Sequence, residues 1–266
     1  MDIYIPQQIK QYTDGHTFVC DSTGMSGSDV LVFEDMVLKI EKHTDITDST
    51  VAMMQWLQDG LPVPKTICHC TEQGKSYTLM SRIKGIMTCD EKFMEQQDRT
   101  VSVLADGLKM LWNTDITQCP RVITFEDELK TAKSNAEQGI VDEAAVDFGM
   151  LSSFGISDID SLIKWLEDNI PSCDFVLSHG DYCMPNVIVN NDKVSGFIDL
   201  GDTAASDRYR DISMCYISLK NNYGGVFGGK VYTDFNPDIL FEKLGIKPDM
   251  DKLNWYILLN ELYKIK

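Results

Sequence analysis

No run of roughly 18 or more apolar residues occurs in this 266-residue sequence, so no membrane span is expected. Basic residues are scarce: 24 Lys and Arg face 41 Asp and Glu, a formal net charge of −17. Duplex nucleic acid is thereby excluded as an expected partner, because neutralising phosphates needs a basic face. The acidity favours a cationic small molecule, provided the carboxylates line a cleft. The eight cysteines form neither a disulfide framework nor a paired CxxC metal site. The nearest cluster, Cys68-His69-Cys70, lies in an alternating stretch that reads as a strand with both thiols on one face. Small buried hydrophobes are the expected role of those thiols. Residues 1–12 lack a basic start and a continuous apolar stretch, so no secretory signal is expected. Free thiols in a reducing cytoplasm follow. Internal repeats and low-complexity segments are missing too.

What is present divides in two. The first eighty or so residues read mostly as β, with strands predicted at Thr17–Asp21, Val30–Glu34, Met36–Ile40, Lys65–Cys70 and Ser76–Ser81. Val30–Glu34 and Met36–Ile40 form a predicted hairpin. A Gly/Ser-rich loop, residues 22–28, separates the first two strands. Thr50, Met53, Met54 and Leu57 share one helical face, and Gly60 and Pro62 stop that helix. Beyond lie helical stripes, Val101 to Trp112 and Ile159 to Leu166, the second with Ser157 as its expected N-cap. A strand pair at Val187–Val189 and Val194–Ile198 follows, and the chain from Asp251 onward reads as helix. The expected class is α+β. A small β-rich lobe, residues 1–81, joins a larger, mainly helical lobe, residues 82–266, near Ser81–Gly85.

The chemistry concentrates in the second part. His179-Gly180-Asp181 is followed by Asn186, thirteen residues later by Asp199-Leu200-Gly201, and then by Asp207-Arg208-Tyr209-Arg210-Asp211. Phosphoryl transfer needs an acid to orient or deprotonate the attacking hydroxyl, and hard oxygen ligands for Mg²⁺ on the phosphates. Asp181 suits the first task. Asn186 and Asp199 suit the second, since a hairpin between them brings both to one end of a sheet.

These motifs carry a resemblance to the aminoglycoside phosphotransferases, which share the protein-kinase-like bilobal fold. The likeness is strongest to the 3′-phosphotransferases that act on kanamycin and neomycin. It extends through Gly24-Met25-Ser26, Met53-Met54-Gln55-Trp56-Leu57, Leu61-Pro62-Val63-Pro64-Lys65, the residues from Lys193 to Gly201, and Tyr256 to Leu262. The resemblance implies a nucleotide-binding N-terminal lobe and a catalytic, substrate-binding C-terminal lobe. Asp181 would be the catalytic base, and Asn186 and Asp199 would hold Mg²⁺. Lys39 would contact the nucleotide α- and β-phosphates. Ser26, with the backbone around Met25, would reach a phosphate. The hinge Met80-Ser81-Arg82-Ile83, through Ser81 and Ile83, would read the purine edge of ATP, with GTP as the alternative. His179 and Asp211 would support the catalytic loop. Glu261 would bind amino groups of the drug, and Asp147, with Asp142 and Glu143, lies in the segment that covers it. The expected partners are a cationic aminoglycoside and a nucleoside triphosphate, and the expected outcome is antibiotic resistance.

The chain also departs from the family. Thr50 stands where the helix carries a Glu that pairs with the strand lysine, and Val37 where an aromatic residue stacks on adenine. Asp202 stands where an Arg follows the DxG motif. Lys264-Ile265-Lys266 extend beyond the usual terminus and put positive charge near a pocket for cations. Phe148 and Leu151 fall roughly where relatives carry acids. Two alternatives therefore stay open: a related kinase for another hydroxylated amine, and a nucleotide-binding protein with little turnover.

Overall fold

The structure is a computed structural model and describes residues 3–21 and 28–265. The predicted loop around Gly24-Met25-Ser26, with the phosphate contacts expected of Met25 and Ser26, lies outside the described residues.

The N-terminal part runs α1 (Gln7–Thr13), β1 (Val19–Asp21), β2 (Asp29–Val32), β3 (Met36–Lys42), α2 (Asp45–Leu57), β4 (Thr66–Glu72) and β5 (Lys75–Ser81). Its strands form one antiparallel sheet in the order β1-β2-β3-β5-β4. The predicted hairpin is β2–β3, with Leu31 opposite Leu38 and Val30 opposite Lys39. Strand alternation then sorts the side chains. Leu31, Leu38, Ile40, Tyr77 and Leu79 turn to one face and bury themselves with Ile9 of α1. Cys68 and Cys70 pack against this cluster, as small hydrophobes do. Lys39, His69 and Thr78 take the other face, where α2 docks through polar contacts. Thr47 of α2 meets Ser76 at 3.0 Å, and Asp48 meets His69 at 3.3 Å.

The apolar residues of α2 look elsewhere. Met53, Met54 and Leu57 join the large core of the C-terminal part, not the small cluster under the sheet. A helix inside the β-rich half thus belongs by packing to the other half. The chain crosses between them at residues 82–85. Gly85 has φ +145°, and a Cβ there would stand 2.3 Å from the Val189 carbonyl oxygen, so only glycine allows this approach.

The C-terminal part opens with β6 (Ile86–Met87), α3 (Glu91–Met94), α4 (Gln97–Trp112), α5 (Phe125–Glu137), α6 (Phe148–Leu151) and α7 (Ile159–Asp168). It continues through β7 (Phe175–Ser178), β8 (Val187–Asn190), β9 (Lys193–Phe197), β10 (Ala204–Asp207), α8 (Arg208–Tyr223), α9 (Ile239–Leu244) and α10 (Met250–Glu261). Two small sheets, β6-β8-β9 and β7-β10, carry the loops between these helices. The stripe Val101, Leu104, Leu108 and Leu111 makes α4 the central helix. Each such side chain contributes about 1.5–3 kcal/mol on burial. The N-cap of α7 is Asp158 rather than Ser157. The Asp158 carboxylate reaches the Ser161 N–H at 2.8 Å, and the Ser161 hydroxyl accepts from the Asp158 N–H. The Ser157 hydroxyl instead donates to Asp158. All eight cysteines are free. Among the described residues no helix is long and apolar enough to cross a membrane.

Candidate active site

The loop after β7 is held by a carboxylate that never meets solvent. Asp211, fully buried on α8, accepts from the Ser178 hydroxyl at 2.9 Å, the His179 N–H at 2.7 Å and the Gly180 N–H at 2.8 Å. Burial pushes the Asp211 carboxyl up from its usual range, and the neighbouring His179 and these hydrogen bonds oppose the rise. Gly180 sits at φ +89°, where a Cβ would lie 2.3 Å from the Asp202 carbonyl oxygen. His179, also fully buried, bridges two loops. Its Nε2 lies 3.0 Å from the Ile198 carbonyl oxygen, and its Nδ1 accepts the Asp181 N–H at 3.3 Å. These partners assign the proton to Nε2. Tyr182 donates its buried hydroxyl to the Leu104 carbonyl of α4 at 2.8 Å. Gly107, one turn on, makes room for that ring: a Cβ there would stand 2.1 Å from the hydroxyl oxygen.

The side chain so positioned is Asp181. The Asn186 amide donates to the Asp181 carboxylate at 2.8 Å and to its carbonyl at 2.9 Å. With Nδ2 so committed, Oδ1 is the atom Asn186 can offer a cation. The Ile198 N–H donates to the Asn186 carbonyl at 3.0 Å, so the end of β9 delivers Asp199 beside the Asp181 loop. Asp199 is exposed and adopts φ +61°, a conformation costing about 1–3 kcal/mol that its surroundings must hold. Asn186 and Asp199 are two hard oxygen donors, a set suited to Mg²⁺ that takes its other ligands from phosphates and water. Among the described residues no cluster of three or more His, Cys, Asp or Glu forms a self-sufficient metal site.

Lys39 reaches this group from the other lobe. Its Nζ lies 3.3 Å from the Asp199 carboxylate and 3.5 Å from Glu41, its neighbour on β3. Burial lowers the Lys39 ammonium, but the carboxylates of Asp199 and Glu41 outweigh it and the net shift is upward. Lys39 therefore stays cationic. Thr50 faces the same loop, since a Cβ on Gly201 would stand 3.9 Å from its hydroxyl, yet that hydroxyl only donates to the Ile46 carbonyl. Asp48 is taken by His69. Glu41, on the same strand, is the second acid beside Lys39.

Val37 is half-buried opposite Met80, beside the hinge. The Ser81 N–H donates to the Lys65 carbonyl and the Arg82 N–H to the Asp35 carbonyl, both at 2.9 Å. The Ile83 N–H has no backbone partner among the described residues.

Glu261 and Asp147, the acids the resemblance assigns to the drug, are arranged differently. Glu261 is buried at the end of α10, where it accepts the Asp147 N–H at 2.8 Å and the Lys264 ammonium at 2.7 Å. The Asp147 carboxylate is exposed and caps α6 at the Met150 N–H. Lys264 also donates to the Ala145 carbonyl at 3.0 Å, its own carbonyl accepts from the Asp142 N–H, and Ile265 bridges to Val141. The C-terminal residues thereby stitch residues 141–147 to α10. Another contact leaves no trace in sequence spacing. Arg121 donates to the Gly201 carbonyl and to the Ser49 hydroxyl. The position after the DxG motif is Asp202, whose carbonyl accepts from Arg210 at 2.8 Å.

A sequence model described as the phosphotransferase enzyme family (APH) matches residues 23–240. An aminoglycoside 3′-phosphotransferase from Enterococcus faecalis is 29% identical over 270 residues, covering 97% of this chain and 98% of the relative. The crystal structure of an aminoglycoside-3′-phosphotransferase of type VIII superposes with a TM-score of 0.76 at 22% identity, covering 96% of each chain. A Streptomyces rimosus aminoglycoside phosphotransferase, solved in complex with ADP and streptomycin, gives 0.67 at 18% identity over 90% of this chain and 94% of its own.

Proposed function

The chain belongs to the phosphotransferase enzyme family, and from that premise we propose that it phosphorylates an aminoglycoside of the kanamycin or neomycin type at its 3′-hydroxyl. The observation that carries this reading is the convergence of Asp181, Asn186, Asp199 and Lys39 on one loop cluster. The donor is a nucleoside triphosphate, ATP or GTP, as the ADP complex of the Streptomyces relative supports. Asn186 and Asp199 would hold Mg²⁺, which when bound neutralises charge on the phosphates. Lys39 neutralises phosphate charge from the opposite lobe, and the Ile83 N–H reads the purine. Met25 and Ser26, outside the described residues, would make the phosphate contact that the resemblance implies.

Asp181 orients the substrate hydroxyl and takes its proton. The hydroxyl oxygen bonds to the γ-phosphorus, the bond from that phosphorus to the β–γ bridging oxygen breaks, and the nucleoside diphosphate leaves. Positioning and fixed charge do most of the work. His179 and Asp211 act on the loop, not on the reactants. Antibiotic resistance is the cellular consequence, and eight free thiols suit a reducing cytoplasm.

On the substrate side Glu261 and the covering segment around Asp147 receive the amino groups. The Lys264–Glu261 pair favours a second reading, a kinase for a different hydroxylated amine, because an ammonium of the chain already occupies that carboxylate. The experiment is coupled detection of diphosphate release with Mg²⁺ and ATP or GTP, with and without kanamycin and neomycin. Drug-dependent release that Asp181→Ala lowers by about 10²–10⁴-fold establishes the first reading. Nucleotide binding without drug-stimulated release sinks it and sends the search to other amino alcohols.

A further inference from the structure

We propose that Arg121 is a positioning residue, a brace that couples α2 to the loop carrying Asp199 in place of an acid on that helix. The inference rests on the phosphotransfer reading above. In protein kinases the ion pair between the β3 lysine and an α-helical glutamate must be in place for turnover, and it ties the helix to the site. Here no ion pair joins α2 to Lys39 among the described residues. The lysine's two acids are Asp199, on the loop itself, and Glu41, on β3. Thr50 turns its hydroxyl back into α2, and Asp48 pairs with His69.

What does join α2 to the loop is a guanidinium. One nitrogen of Arg121 donates to the carbonyl of Gly201, two residues after Asp199, and the other donates to the Ser49 hydroxyl of α2, next to Thr50. The base of this brace is anchored. The Arg121 carbonyl accepts from the Ala205 N–H, and the Ile123 N–H donates to the Ala205 carbonyl, both at 2.9 Å. The Ser206 hydroxyl donates to the Ile123 carbonyl at 2.8 Å. All three tie residues 121–123 to β10, whose partner β7 leads into the Asp181 loop. One residue thus links three parts of the site: α2 and the loop of Asp199 through its side chain, and the sheet behind Asp181 through its backbone. Asp199 at φ +61° needs such restraint. The task calls for arginine, whose planar fork reaches two acceptors at once where an ammonium is a point charge.

The test compares Arg121→Ala, Arg121→Lys, Ser49→Ala, Ser49→Thr and the double variant Arg121→Ala/Ser49→Ala. Each is followed by steady-state kinetics with kanamycin, by calorimetric titration with Mg²⁺-ADP, and by thermal unfolding. Losing a charged hydrogen bond at this point should lower kcat about tenfold in Arg121→Ala, with the drug KM within about twofold. Ser49→Ala should lose several-fold in kcat, and Ser49→Thr, which keeps the hydroxyl, should recover it. The double variant should be no worse than Arg121→Ala, because both changes break one connection. Arg121→Lys should fall between wild type and alanine. If wild type turns over no aminoglycoside, the substrate reading fails alone, and Mg²⁺-ADP affinity should still fall in the same non-additive pattern. Additive losses overturn the brace, as does a folded Arg121→Ala with wild-type kcat and Mg²⁺-ADP affinity. Should Arg121→Ala not fold, Ser49→Ala and Arg121→Lys decide: wild-type values in both overturn it.

Discussion

On the loop after β7 the half-buried Asp181 carboxylate accepts a neutral amide from Asn186, whereas at the end of α10 the buried Glu261 carboxylate already holds an ammonium. Asp181 is half-buried, and its supports His179 and Asp211 are fully buried with partners on both neighbouring loops. Glu261 is buried, with its carboxylate shared between a backbone N–H and Lys264. The Glu261 arrangement ties the segment around Asp147 and the residue Lys264 to the end of α10. The difference between the two carboxylates lies in the partners each already has. A carboxylate's existing partners decide whether it is available.

The largest effect should come from breaking the rigid side. Gly180→Ala puts a Cβ 2.3 Å from the Asp202 carbonyl at a left-handed backbone position. The strain, about 1–3 kcal/mol or more, should displace Asp181 and lower kcat by about 10²-fold or more, with a fall in melting temperature. Wild-type turnover in that variant would mean the loop tolerates movement. Gly107→Ala attacks the same loop from behind, since its Cβ would meet the Tyr182 hydroxyl at 2.1 Å. Overpacking of about 1–3 kcal/mol is expected, with kcat falling about tenfold. Tyr182→Phe should relieve part of that clash, and kinetics on the double variant would read the relief.

On the satisfied side, Lys264→Met removes the ammonium competing for Glu261. The KM for neomycin should fall several-fold, about 1 kcal/mol for a partly exposed pair, with kcat nearly unchanged. A higher KM would show that Lys264 organises the pocket instead of occupying it. The smallest expected effect is on pH dependence. Lys39 is raised above its ordinary value of 10.5. Its pairing with Asp199 and Glu41 is therefore complete below that value and is lost only as pH rises through the shifted one. Mg²⁺-ADP affinity should stay flat between about pH 7 and 9. A break in that window that disappears in Lys39→Met would overturn this charge assignment.

Much of the catalytic side was legible in the sequence because its parts are local. Asp181, Asn186 and Asp199 lie on one loop and one hairpin, and strand alternation alone sends Lys39 to the face opposite Leu38 and Ile40. The large strands and helices followed their periodicity for the same reason. The N-cap of α7 moved by one residue because Ser157 and Asp158 offer near-equivalent cap oxygens, and only the reach to the Ser161 N–H separates them. The substrate side was less legible. The Lys264 and Ile265 contacts to residues 141–145 close a loop of about 120 residues, and no periodicity records that pairing.

The sequence by itself determined the α+β class, the β-rich first part, the central helix and the spacing of Asp181, Asn186 and Asp199. These rest on nearest-neighbour and periodic preferences. Only the tertiary structure decided that α2 packs with the C-terminal core, that Glu41 supplies the second acid beside Lys39, that Lys264 occupies Glu261, and that Arg121 spans α2 and the Asp199 loop. Each of these is a choice among partners of the same charge or polarity. Such choices depend on which groups the folded chain brings within hydrogen-bond distance, and that distance is a property of the whole fold.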